Sequence, residues 1–222
     1  MRTIRALKIA AAVVVALPTV AFAQTNRQFK DSWFWGIKAG GMAFGDSARS
    51  YRQAPLAGID WLITRSKGGV YISGGQAFFH EKTLTFRDPN FPVDSGFREI
   101  RLKNLRRLDV AAMGFPGNFL RFHPYVGAGF SVDAVADADP TGPFATLDQR
   151  NFAEQVIQQQ KVQVAPFGIL GGQWRFNWAS VFGQVTFTPS QKDFILYNGQ
   201  SMNMTYEFGL RYNFGTSIDR HY

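Results

Sequence analysis

His80, His123 and His221 are the three histidines of the chain, and one of them could activate a serine hydroxyl as a nucleophile. Such a pair needs its base within about 3 Å of the hydroxyl. His123 and Ser131 share one face of an alternating segment but stand eight residues apart; that is about 27 Å at about 3.4 Å per residue of extended chain. They cannot touch. His80 with Ser95 is the other combination, and nothing in the sequence orients it. No catalytic residue, cofactor or metal site is expected.

Charged side chains offer a second kind of chemistry. Lys38, Asp60, Asp109 and Glu207 each lie about five to seven residues from one end of an alternating segment, on its polar side, and Arg211 follows Glu207 by four. Such a group serves either as an ion path or as a self-neutralising structural network. Buried charges left unpaired are costly, so the structural reading is preferred. Lys38 is expected between Asp60 and Glu207, with Arg211 below it.

These residues are positioned by period-two alternation. In MTYEFGLRYNF (204–214), Met204, Tyr206, Phe208, Leu210, Tyr212 and Phe214 alternate with Thr205, Glu207, Gly209, Arg211 and Asn213 without exception. In LRFHPYVGAGFSVDA, Phe122, Val126, Phe130 and Val132 share one face, and His123, Tyr125, Ser131 and Asp133 the other. Eight strands are expected, at 32–45, 54–65, 69–87, 97–114, 119–135, 158–174, 178–189 and 201–215. Helical periodicity is confined to FAEQVIQQQ, in a connection.

The connections alternate in length. RSKGG, FPGN and RFNWA are tight; GDSARSYRQ, DPNFPVDSG, the stretch from ADADPTGPF to VIQQQ, and PSQKDFILYNGQ are long. Short turns at one end and long polar loops at the other suit a barrel that crosses a membrane. No apolar run after residue 23 can span a bilayer as a helix, and a chain without such helices enters lipid only as a closed sheet. The apolar rows then face lipid. An eight-stranded barrel is just wide enough for its polar rows to fill the inside.

The first 23 residues stand apart: Arg2, Arg5 and Lys8 precede an uncharged run that ends in Ala21-Phe22-Ala23. That is the pattern of a secretory signal peptide cleaved after Ala23. The remainder divides into a short segment (24–31), the barrel (32–215) and a tail (216–222). Three of the 24 basic residues leave with the signal, giving 21 against 16 acidic. Export excludes a nucleic-acid partner, and the absence of cysteine excludes disulfide support.

EFGLRYNF (207–214) and PYVGAGFS (124–131) resemble strands of the small eight-stranded outer-membrane barrels, the class of OmpA transmembrane domains, OmpX and OmpW, and the resemblance covers nearly all of 24–215. It implies a monomeric all-β up-and-down barrel in a bacterial outer membrane. It also implies an assembly signal at Glu207, Gly209, Tyr212 and Phe214, read by the barrel assembly machinery. The 77–107 hairpin resembles the protruding sheet of OmpX-type barrels, whose exposed strand edge suits an extracellular partner. On its descending arm Arg98, Arg101, Lys103, Arg106 and Arg107 are candidate contacts for lipopolysaccharide phosphates.

The expected role is structural or adhesive. The alternatives are an OmpW-like conduit for small apolar molecules, with inward glycines Gly127, Gly129 and Gly209 leaving a cavity, and a lipid A-modifying enzyme. A soluble lipocalin-like barrel would reverse the two faces. The membrane reading predicts sedimentation with membranes and heat-modifiable migration on a denaturing gel; recovery from a detergent-free periplasmic extract would favour the soluble barrel.

Overall fold

The computed structural model describes residues 29–45, 51–87, 97–117, 121–141, 144, 146–196 and 202–216. The expected signal peptide lies outside them, as do residues 217–222. Eight strands form the wall: β1 (Ser32–Gly45), β2 (Tyr51–Thr64), β3 (Gly68–Arg87), β4 (Phe97–Gly114), β5 (Phe122–Val135), β7 (Val162–Arg175), β8 (Ala179–Pro189) and β9 (Met202–Thr216). Each pairs antiparallel with its neighbour. β1 returns onto β9, from Ser32 opposite Thr216 to Ala43 opposite Met204, and closes the barrel. A short strand, β6 (Ala138–Thr141), and a helix, α1 (Leu147–Gln160), fill the long connection between β5 and β7.

Alternation decides what each face meets. Ile37, Phe130 and Phe208 point outward and are 63%, 65% and 64% exposed, while the intervening Lys38, Ser131 and Glu207 are buried. The charged side is inside, as a bilayer requires and water does not. All five tryptophans of the chain, Trp33, Trp35, Trp61, Trp174 and Trp178, cluster towards the short-turn end. Trp35 stacks on Trp61 (5.4 Å between ring centroids), and Trp178 and Tyr212 lie 5.7 Å apart.

The inside has three layers. At the short-turn end Phe34, Leu62, Tyr71, Met113 and Tyr125 pack together, with Phe29 and Phe115 against them. The middle is charged. At the long-loop end Met42, Phe44, Leu56, Phe79, Ile100 and Leu105 join Val156 and Ile157 of α1 and the loop residues Phe194, Ile195 and Leu196 in a single apolar cluster. The mouth is thus capped by side chains that belong to loops in the sequence.

Three features differ from the sequence expectation. Residues 158–160 end α1 and do not begin a strand; the helix is capped at Thr146, whose side chain accepts from Gln149 N (3.3 Å). β6 is new, and pairs Glu99–Leu102 of β4 with residues 138–141. The β3–β4 ladder slips between Phe78 and Lys82, where His80 has φ +53°. Inward positions on β4 consequently shift from Leu105 to Leu102, a step of three.

Phe208 lies mid-strand, opposite Ala39 and Gly183. Phe208→Arg should lower stability in lipid vesicles by about 2–4 kcal/mol, the cost of a cation at the bilayer midplane. Urea titration of the vesicle-inserted protein measures it, and an unchanged midpoint would mean that this face meets water.

Candidate functional site

The buried charges are placed by register. Asp60, Gly36 and Arg211 stand side by side on β2, β1 and β9. Gly36 has no side chain, and a Cβ there would overlap Asp60 Oδ1 and lie 2.8 Å from Arg211 Cγ. Arg211 therefore reaches across β1 and donates through Nη2 (2.8 Å) and Nε (3.1 Å) to Asp60 Oδ2. Its guanidinium also donates to Gln173 Oε1 (2.9 Å) and lies 3.8 Å from the Phe182 ring centroid. Phe182 in turn occupies the space over Gly209.

Two residues further along β1, Lys38 is flanked by Gly58 and Gly209. Its ammonium donates to Glu207 Oε1 (2.8 Å), Ser73 Oγ (2.9 Å) and Tyr71 OH (3.4 Å). Gln184 ties the two ion pairs together: Nε2 donates to Glu207 Oε2 (2.6 Å) and Tyr71 OH (2.9 Å), and Oε1 accepts from Tyr125 OH (2.9 Å) and Arg211 Nη2 (3.4 Å).

From Lys38 the network climbs to the opposite wall. Ser73 Oγ donates to Asp109 Oδ2 (3.1 Å), and Arg107 Nε donates to Asp109 Oδ1 (2.7 Å) and lies 3.7 Å from Asp133 Oδ1. Arg107 also donates to Thr188, and Gln163 Nε2 to Asp133 Oδ2 (2.8 Å). Bonded side chains thus run from Gln173 near one end to Gln163 near the other. They hold three cations, Lys38, Arg107 and Arg211, and four carboxylates, Asp60, Asp109, Asp133 and Glu207, all buried. Chemically this is a neutralising scaffold. Among the described residues no group of three or more metal-ligating side chains is assembled.

The sequence expectation needs two corrections here. Asp60 does not bind Lys38; Arg211 takes it, because Gly36 leaves the gap between them. Arg107, read from the sequence as a lipopolysaccharide contact, is 4% exposed and points inward beside Asp109. Its spacing of two from Asp109 was the available signal, since i and i+2 share a face. Arg101 and Arg106 are exposed and Lys103 half-buried, while the side chain of Arg98 lies outside the described residues. Asp133, Ser73, Gln163, Gln173 and Gln184 were not anticipated as members of the network, although alternation puts each on a polar face.

No protein-family model and no curated protein matches the sequence. Among solved structures, neisserial surface protein A superimposes with a TM-score of 0.54 at 10% identity, over 82% of this chain and 97% of that one. The fold is that of a small outer-membrane β-barrel. OprG from Pseudomonas aeruginosa (TM-score 0.49, 13% identity, 84% and 98% covered) and Ail of Yersinia pestis (0.46, 9%, 84% and 100%) are also similar.

Within this barrel His123 and Ser131 stand apart. His123 stacks on Phe29 at 4.0 Å between centroids, at the short-turn end, while Ser131 donates to Asp133 (3.3 Å) higher up. His80 is exposed at the bulge, and Ser95 and His221 lie outside the described residues. The inward glycines expected to leave a cavity are filled by their neighbours. A Cβ would meet Ile169 and Met113 at Gly127, Ala111 at Gly129, and Phe182 at Gly209.

Arg211→Met, which strands Asp60, should cost about 3–5 kcal/mol. Asp60→Asn added to it should recover part of that loss. A double-mutant cycle read by urea unfolding in vesicles is expected to show coupling of about 2 kcal/mol for Asp60 with Arg211. Lys38 and Glu207 should couple similarly, and Lys38 with Asp60 clearly less.

Proposed function

We propose that the protein is an integral protein of a bacterial outer membrane, with a closed, non-conducting barrel that carries an interaction surface at its long-loop end. One observation carries this reading: a bonded charge network occupies the middle of the inside, with a buried apolar cluster towards each mouth. Charges paired with one another in this way neutralise each other within the barrel, which favours a structural role over an ion path. The role is non-catalytic, and the protein works as a monomer. The short turns lie in the periplasm and the long loops outside the cell. Glu207, Gly209, Tyr212 and Phe214 of the closing strand serve as the signal for the assembly machinery.

The surface that meets partners is the upper part of β3 and β4. Beyond Ala77, β3 pairs only with β4 among the described residues, whereas β4 is covered by β6 over Glu99–Leu102. The edge left for an added strand is therefore that of β3, and an extended peptide of an extracellular partner is the matching ligand. On the outward face Arg106 sits above the exposed Leu108 and Val110, at the boundary between apolar wall and water. With Arg101 and Lys103 it is suited to lipopolysaccharide phosphates.

In planar bilayers the folded protein should give no sustained single-channel openings; steady openings would replace this reading with a conduit. Removal of residues 82–102 should leave heat-modifiable migration intact and abolish attachment of expressing cells to a host-cell or matrix surface.

A further inference from the structure

Between the charge network and the apolar cap, the inward face of β8 and β9 is polar. Thr186, Thr188, Asn203 and Thr205 are all buried there, and the ladder sets Thr188 opposite Asn203 and Thr186 opposite Thr205. The threonines have partners: the hydroxyls of Thr186 and Thr205 bond each other, and Thr188 Oγ1 accepts from Arg107 Nη2. Asn203 has none among the described residues. It is 1% exposed, and neither its Oδ1 nor its Nδ2 meets a hydrogen-bond partner. Arg107 Nη1 and the hydroxyl of Ser190, two residues beyond Thr188, are buried and unpartnered as well.

These atoms belong to one place. The guanidinium of Arg107 crosses the bore to reach Thr188, and directly opposed residues on paired strands stand about 5 Å apart, so Asn203 flanks the same hydroxyl. A buried carboxamide left unpaired is costly, and this one asks for a ligand that supplies both an acceptor and a donor. Charge narrows the choice. Arg107 already faces Asp109 (2.7 Å) and Asp133 (3.7 Å), so an added anion would meet two carboxylates, while an added cation would meet the free side of the guanidinium. A neutral molecule suits the balance. Met42, opposite Thr205 on β1, begins the apolar cluster that continues through Phe44 and Leu56 to Phe194, Ile195 and Leu196 overhead. That loop is tied down by Ile195 N donating to Gln160 O (2.9 Å) and Gln191 N to Gln163 Oε1 (3.2 Å), and a ligand from the long-loop end enters past it.

We propose that Arg107, Ser190 and Asn203 form an internal binding site for a small neutral molecule with a carboxamide-type head, a carbonyl oxygen beside an N–H. The carbonyl accepts from Arg107 Nη1 and Asn203 Nδ2, the N–H donates to Asn203 Oδ1, and the hydroxyl of Ser190 completes the polar side. The apolar remainder of the ligand packs on Met42, Phe44 and Phe194. Such a site is a receptor within the closed barrel, and it draws on nothing assigned to the β3 edge or to the outer rim.

Methyl NMR of the folded mature protein in phosphatidylcholine nanodiscs tests it, with the Thr188 and Met42 methyl groups as reporters and heat-modifiable migration as the check on folding. Three probes of one shape are titrated: propionamide, propionate and propylammonium. Propionamide should shift both methyl resonances saturably and bind about tenfold more tightly than either ion. Asn203→Leu should weaken it about tenfold and Ser190→Ala about threefold. Asn203→Ser, which removes the amide and keeps a hydroxyl, serves in place of the leucine variant if that one does not fold. Ser180→Ala, at the short-turn end, should leave binding unchanged. No saturable shift, equal shifts with all three probes, or full binding in Asn203→Leu and Asn203→Ser would overturn the proposal. Water contacts at the Thr188 methyl that propionamide does not displace would do so as well, leaving Asn203 a site for water only.

Discussion

Pairing of β1 with β9 is the contact on which the rest of the structure depends. A sheet left open there would present two rows of unpaired amide and carbonyl groups, and each such group costs several kcal/mol in hydrocarbon. Closure removes both rows and creates an inside and an outside. Only then does the alternation in every strand acquire its meaning, with Phe208 facing outward and Glu207 buried in a confined interior.

A closed interior restricts what can fill it. Cations and carboxylates must nearly balance, and volumes must complement one another across the small bore. The structure meets both demands with glycines beside its largest inward groups: Gly36 lets Arg211 reach Asp60, Gly58 and Gly209 flank Lys38, and Gly209 also receives the ring of Phe182. These glycines look like missing volume in the sequence. In the folded barrel they are where neighbouring side chains pass.

The two ends solve different problems. At the long-loop end, connections fold back over the mouth, and α1 and residues 194–196 bury Val156, Ile157, Phe194 and Leu196 against Phe44 and Phe79. β6 extends the wall beyond the barrel alongside β4. Among the described residues the connections at the short-turn end are shorter. That end is stoppered by Phe29, whose carbonyl accepts from Thr64 Oγ1 and whose ring meets His123 and Phe115. The tryptophans and most of the net positive charge lie around this smaller end.

Alternation is a local property of extended chain, and it carried much of the fold. Eight strands, the side of each that is apolar, and the segregation of long and short connections are all legible in the sequence, because each depends on residues two apart or on the length of one link. Membership of Lys38, Asp60, Asp109, Glu207 and Arg211 on inward faces follows from the same periodicity. Which of them pair does not. Partners on different strands are set by the stagger of the ladder, and only the closed register puts Arg211 level with Asp60 and Lys38 next to Glu207. The bulge at His80, the short β6 and the capped mouth are of the same kind. Each arises from contact between segments far apart in the chain, so only the tertiary structure decided them.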